Sequence, residues 1–332
     1  MAALLALRLA ALALRVVPWR VSCVLGGVIG RLVHALAPWR LAVLRANLAR
    51  ARLPTSLERA AYEHLGRALM LTLQAPRLPA VAADHALLSQ LNADCADGGV
   101  LVCSAHIGVW ELLPSVLAPH VTERARRHGR LVYRPLHDAA LDAWLRRRRT
   151  SAAGVAMLPD DGSLSELKES LCKGGLVGLL PDQRPAAGHG SVSVRMLGEA
   201  CELSPGISAL HAATGCPVWF AALVLCKSSD ASLTLTRLAP RRRGGSAQCE
   251  PGHVACGDDV ATEDAAHVSQ AYADALDAAV RCAPAQFFWF HDRWRLRKKS
   301  RTTHEGGASV ARVALSLAVG IVIVRAAAKA RA

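Results

Sequence analysis

Apolar residues dominate both ends of the chain, and between them apolar and polar blocks alternate. Residues 2–17 are apolar except for Arg8 and Arg15, which lie seven apart and so share one stripe of a helix. Pro18 breaks that helix. A second apolar run, Val21–Ala37, carries only Arg31 and His34, again on one side. A spanning helix needs about 20 apolar residues and rarely holds an arginine at its centre. Over residues 1–50 the pattern therefore predicts membrane-associating helices that lie in the interface or dip into the bilayer. Two ordinary buried helices fit the same pattern. A secretory signal fits poorly, because no basic region precedes Leu4 and Arg8 interrupts the run. At the far end, Val313–Val324 is uncharged but reaches only about 18 Å as a helix, short of a bilayer core of about 30 Å. Residues 299–332 read as a basic and apolar tail, either a second anchor or dispensable.

Residues 51–298 alternate short apolar runs with helical segments. The runs Val100–Cys103, Leu131–Tyr133, Val155–Leu158, Leu176–Leu180 and Pro217–Leu225 predict buried strands. Ser232–Leu238 alternates more and predicts an edge strand. Helices are expected at Ala139–Arg148, from Ser163 as N-cap to Cys172, at Pro205–Thr214 and at Ala265–Cys282. Residues 240–262 are polar and Gly-rich, and predict a flexible loop. Strands separated by helices of about ten residues predict an α/β fold with a largely parallel central sheet flanked by helices.

Composition narrows the partners. Lys and Arg number 40 against 26 Asp and Glu, a formal charge of +14, and 52% of the 332 residues are hydrophobic. Intrinsic disorder is excluded by that apolar content. Cationic charge with a mean hydropathy of +0.24 points to an anionic membrane surface. Nucleic acid is the other usual partner of such charge, but only 4% of residues are aromatic, which leaves few platforms for stacking bases. The ten cysteines contain no CxxC pair, and read as reduced thiols of a cytosolic compartment. Cys249, His253 and Cys256 are the nearest approach to a metal cluster and lack the tight cysteine pair of a structural zinc site, so no metal or cofactor is expected.

The chain has no GxSxG elbow, phosphate-binding glycine loop, GxGxxG or HExxH. Its informative segment is Gly98–Pro114, GGVLVCSAHIGVWELLP. His106 follows a buried strand, at the end where α/β proteins build their sites. Glu111 lies five residues on, about 500° around a regular helix, so a turn at Ile107-Gly108 is needed to bring the two together. A histidine oriented by a carboxylate is a general-base pair.

His106-Ile107-Gly108-Val109-Trp110-Glu111 resembles the HX4(D/E) motif of glycerolipid acyltransferases. More specifically it resembles the HxGxWE form found in the late acyltransferases of lipid A biosynthesis. Further blocks follow in the same order: Tyr133-Arg134-Pro135, then Leu141-Asp142 with Arg148 or Arg149, Leu180-Pro181-Asp182-Gln183, Thr214-Gly215-Cys216-Pro217-Val218, and Pro284 to Trp294. The resemblance covers roughly residues 20–297. Two departures stand out. Val109 replaces the usual Asn, and the stretch after Gln183 lacks the aromatic residues common there.

The resemblance implies transfer of a fatty acyl group from an acyl carrier protein or CoA thioester to a hydroxyl of a membrane lipid, most directly a lipid A precursor. The setting it implies is the cytoplasmic face of a bacterial inner membrane. His106 would be the base and Glu111 its orienting partner. Arg134 would stabilise the oxyanion or bind an acceptor phosphate. Asp182 and Gln183 would support the site. Arg146, Arg147, Arg148 and Arg149 would meet headgroups or an acidic carrier. Trp289, His291 and Trp294 are expected to pack or to anchor at the membrane interface. A different lipid acceptor, or a non-catalytic basic membrane protein of the same fold, are the rival readings.

Overall fold

The computed structural model describes residues 2–74, 80–160, 164–185, 190–226, 230–242 and 260–294. Four helices open the chain: α1 (Ala2–Leu14), α2 (Trp19–Leu36), α3 (Leu41–Arg50) and α4 (Leu57–Gln74). Then come β1 (Val81–Ala83), α5 (His85–Asp97), β2 (Val100–Cys103), α6 (Leu113–Leu117), α7 (Glu123–Arg127), β3 (Arg130–Tyr133), α8 (Ala139–Ala153), β4 (Ala156–Pro159), α9 (Leu164–Cys172) and β5 (Leu176–Leu179). The rest is a hairpin of β6 (Val192–Met196) and β7 (Glu199–Leu203), then α10 (Gly206–Thr214), β8 (Val218–Leu225), β9 (Ala231–Ala239) and α11 (Val260–Cys282).

Seven strands form one sheet in the order β1-β9-β8-β2-β5-β3-β4. Every pair is parallel except β8 with β9. The architecture is α/β with a mostly parallel central sheet between helices. Strands β2 and β8 read as unbroken apolar runs because both of their faces are covered. One face packs on α10 and α11 through Ile207, Leu210, Tyr272 and Leu276. The other packs on α5 and α6 through Leu91, Leu113 and Val116. Asp84 and Asp138 accept backbone N–H bonds at the starts of α5 and α8, which fixes where those helices begin.

Two expectations need correction. Strand β9 is not an edge, since β1 pairs with it over Val81–Ala83. Its alternation reflects one packed and one wetter face. Helix α11 begins at Val260, inside the stretch read as loop. Ser163, the Cys249–Cys256 cluster, most of 240–262 and the whole 299–332 tail lie outside the described residues.

Helix α2 lies backbone to backbone on α4. A Cβ on Gly30 would stand 2.1 Å from the Tyr62 carbonyl oxygen, and one on Gly66 2.0 Å from that of Gly26, so only glycine permits this approach. Helix α1 packs on the far end of α4 through Leu7, Leu14 and Leu73, and the buried Gln74 side chain donates to the carbonyls of Leu14 and Val17. The opposite faces stay bare. Leu5, Leu9 and Leu12 form one exposed stripe on α1, continued by Val16 just beyond it, and Val21, Val24, Val28, Leu32 and Leu36 form another on α2.

Candidate active site

Strand register builds the site. In β2 and β5, neighbouring and parallel, Cys103 sits opposite Leu179. His106 and Asp182 each lie three residues beyond those positions, so the register carries them out side by side at the carboxyl edge. His106 Nδ1 lies 2.7 Å from Asp182 Oδ1. A carboxylate only accepts, so Nδ1 carries a proton, and in the neutral ring the lone pair is on Nε2. The Gln183 amide nitrogen stands 3.4 Å from that Nε2. The ring clusters with Trp110 and Phe288, at centroid distances of 5.3 and 6.0 Å, and those two rings stand 6.3 Å apart.

Asp182 is fully buried and is held from its other side by Arg293, itself 2% exposed. Arg293 donates to Asp182 Oδ2 at 3.1 Å and also to the Asp182 carbonyl, and stacks over Phe287. Burial alone would favour the neutral acid. The charges and hydrogen bonds of His106 and Arg293 outweigh it and hold the carboxyl well below its usual range.

The turn required after His106 is present, but it does not bring Glu111 onto the ring. Gly108 has φ 62, the left-handed region, and a Cβ there would meet the Leu223 carbonyl oxygen at 1.9 Å. A 3-10 turn at Trp110–Leu112 follows. It points Glu111 toward α8, where Arg149 donates to it from Nε at 2.8 Å and from a second guanidinium nitrogen. The partner on His106 Nδ1 is therefore Asp182 and not Glu111. Arg149 overcomes the cost of burial, with help from His106, and keeps the Glu111 carboxyl below its usual range. Glu111 thus ties the motif turn to α8. Glu111→Ala is expected to lower stability by about 1–3 kcal/mol by stranding Arg149. Arg149→Ala should cost a similar amount, and the double variant less than the sum. A double-mutant cycle of thermal midpoints measures the coupling, and additive losses would remove the tie.

The other candidates separate. Arg134, one residue past β3, is exposed and bonded to Asp160 at 2.8 Å. Arg146 and Arg147 are exposed. Arg148 lies over Trp144 and donates to the carbonyls of Thr72 and Leu73 at the end of α4. Trp289 and Trp294 are core residues, 0% and 3% exposed, and do not stand at an interface. The His291 Nε2 accepts from the Arg184 backbone N–H at 3.1 Å, and burial beside Arg293 pushes its pKa down to about 3. Sequence reasoning gave no role to Arg293. Its signal was an arginine in the closing block that resembles the family, but nothing there names Asp182 as its partner.

A histidine backed by a buried carboxylate, at the carboxyl edge of a parallel sheet, has the makings of a general-base enzyme. The family model for bacterial lipid A biosynthesis acyltransferases matches residues 3–296, and the chain belongs to that family. It is an acyltransferase of a family that is membrane-associated in bacteria and works with an acyl donor and a lipid acceptor. A search of curated proteins finds no match.

Proposed function

We propose that the enzyme moves a fatty acyl group from an acyl carrier protein or CoA thioester to a hydroxyl of a lipid A precursor, with His106 as general base. The observation that carries this reading is the 2.7 Å contact between His106 Nδ1 and a buried, ionised Asp182, which puts the proton on Nδ1 and makes Nε2 the basic nitrogen of the neutral ring. As the acceptor oxygen attacks the thioester carbon, Nε2 takes the hydroxyl proton. The tetrahedral intermediate then expels the thiolate, the imidazolium returns the proton to sulfur, and ester and free thiol leave. Asp182 takes the orienting role that the family resemblance implied for Glu111, and Arg293 keeps Asp182 charged. The Gln183 amide lies on the reacting side of the ring, where a donor can face a developing oxyanion.

Arg134 remains a ligand for an acceptor phosphate. Its exposed pair with Asp160 is worth only about 0.2–1 kcal/mol, so a phosphate can compete for it. Exposed Arg146 and Arg147 are the carrier or headgroup contacts, whereas Arg148 and Arg149 are committed to α4 and Glu111. The bare stripes of α1 and α2 rest on the cytoplasmic face of the inner membrane. Because its other face is committed to α4, α2 lies along the bilayer and does not cross it. Replacing Leu9, Leu12 and Val24 with glutamate should weaken binding to anionic vesicles by about tenfold per residue. Flotation measures this, and undiminished binding would move the anchor elsewhere, with residues 313–324 the next candidate.

The deciding assay gives labelled acyl-carrier and acyl-CoA thioesters to the detergent-solubilised enzyme with a panel of acceptors: a tetra-acylated lipid A precursor, lysophospholipids and a lyso-ornithine lipid. An acylated lipid A product from wild type, absent with His106→Ala, supports the reading. A different product would keep the chemistry and change the acceptor, a reading that the altered stretch after Gln183 favours. No product from any acceptor would leave a non-catalytic role.

A further inference from the structure

The turn that carries His106 is pinned almost entirely by backbone. Gly108 N–H donates to the Gln286 carbonyl at 2.9 Å, Val109 N–H to that of Leu223 at 2.8 Å, and Phe288 N–H to that of His106 at 2.8 Å. The Gly108 carbonyl is met by a side chain: His64 Nε2, from the middle of α4, lies 2.9 Å away. His64 is 5% exposed. A carbonyl only accepts, so Nε2 bears the hydrogen and donates it. Burial pushes the His64 pKa down to about 4, against the pull of the Gly108 carbonyl, so the ring is neutral at working pH. Next to it, a small pocket of about 10 Å³ borders Trp110 and Phe288, the two rings that cluster with His106. That space holds one water at most, so the ring itself satisfies the carbonyl.

The mechanism above uses His64 for nothing, yet a buried carbonyl left without a donor costs about 1–3 kcal/mol. Without this bond, the turn two residues from His106 would relax toward any donor it found. Helix α4 is a firm mount for such a bond, because Gly30 and Gly66 lock it against α2 at backbone contact.

We propose that His64 is a positioning residue for acyl transfer, whose Nε2–H holds the Gly108 carbonyl and so aims His106 at the acceptor hydroxyl. The inference rests on the reading of His106 as the base. Displacing a catalytic group by about 1 Å costs about 10²-fold in rate, which sets the scale of the effect.

Two measurements test it. In wild-type protein with ¹⁵N-labelled histidine, one ring is expected as the Nε2–H tautomer, with slow proton exchange and no titration between pH 5 and 8. Its signal should vanish in His64→Gln. A His64 ring that is the Nδ1–H tautomer, or that titrates normally, overturns the proposal, whether or not any variant folds. In kinetics, His64→Leu keeps the bulk and loses the donor. Its kcat should fall by about 10–10²-fold with the thioester KM within about twofold of wild type. His64→Gln, whose amide can donate along the same line, should recover kcat to within about threefold of wild type. A merely structural histidine would lower the thermal midpoint of both variants and leave the kcat of folded enzyme alone. Wild-type kcat in His64→Leu, or no rescue by glutamine, overturns the proposal. His106→Ala in the same assay separates the two readings. If it stays active, the base is lost and His64 with it. If it is dead while His64→Leu is unimpaired, only His64 falls.

Discussion

His106→Ala is expected to lower kcat by about 10²–10⁴-fold, the usual yield of a positioned general base, with little change in thermal midpoint. The small cost in stability follows from what the side chain leaves behind. Asp182 keeps Arg293 as a charged partner, so no buried charge is stranded. The His106 carbonyl still accepts from Phe288 N–H, because that bond is backbone. The ring is partly open to solvent, at 23% of its side-chain surface, so truncation opens no deep cavity. Initial rates on a saturating acyl thioester, set beside a melting curve, check both halves. A rate within threefold of wild type would place the base elsewhere. A large fall in midpoint would make the activity loss a folding effect.

Much of this site was legible in the chain, and the part that was not has a geometric cause. His106, Glu111, Asp182 and Gln183 all stand out in the sequence, and five apolar runs mark β2, β3, β4, β5 and β8. Pairing was the missing link. Seventy-six residues separate His106 from Asp182, and only the adjacency of β2 and β5 makes them neighbours. The motif resemblance favoured Glu111, five residues away. A single left-handed glycine and a 3-10 turn send that carboxylate to Arg149 instead. Helix α4 escaped notice because it buries polar side chains, Glu58, Glu63, His64 and Gln74, so its apolar stripe is broken. The short strand β1 and the hairpin β6–β7, with its exposed and charged positions, carry no run long enough to read.

Replacing Asp182 should do what replacing His106 does not, and cost stability as well as rate. Asp182→Ala removes the charge from between two groups and leaves Arg293 buried with no counter-ion, a loss of about 3–5 kcal/mol. For a chain of this size that lowers the midpoint by roughly 10 °C. Asp182→Asn keeps the volume and can still accept from His106, but its amide N–H₂ then faces the Arg293 donors and its neutrality no longer stabilises the imidazolium. Its kcat is expected to fall by about 10²–10⁴-fold. The dependence on pH separates charge from shape. The folded Asp182 carboxyl titrates well below its unfolded value, so the unfolded chain takes up the proton first. The stabilisation is complete above about pH 4–5 and drains away as pH falls toward the folded value. Glu111, also held low, adds in the same sense. Wild type should therefore lose midpoint steadily from about pH 5 to pH 3, and Asp182→Asn should lose less over that window. An equal acid slope in the two proteins would mean that Asp182 is not held ionised between His106 and Arg293, and the catalytic reading would lose its anchor along with the stability argument.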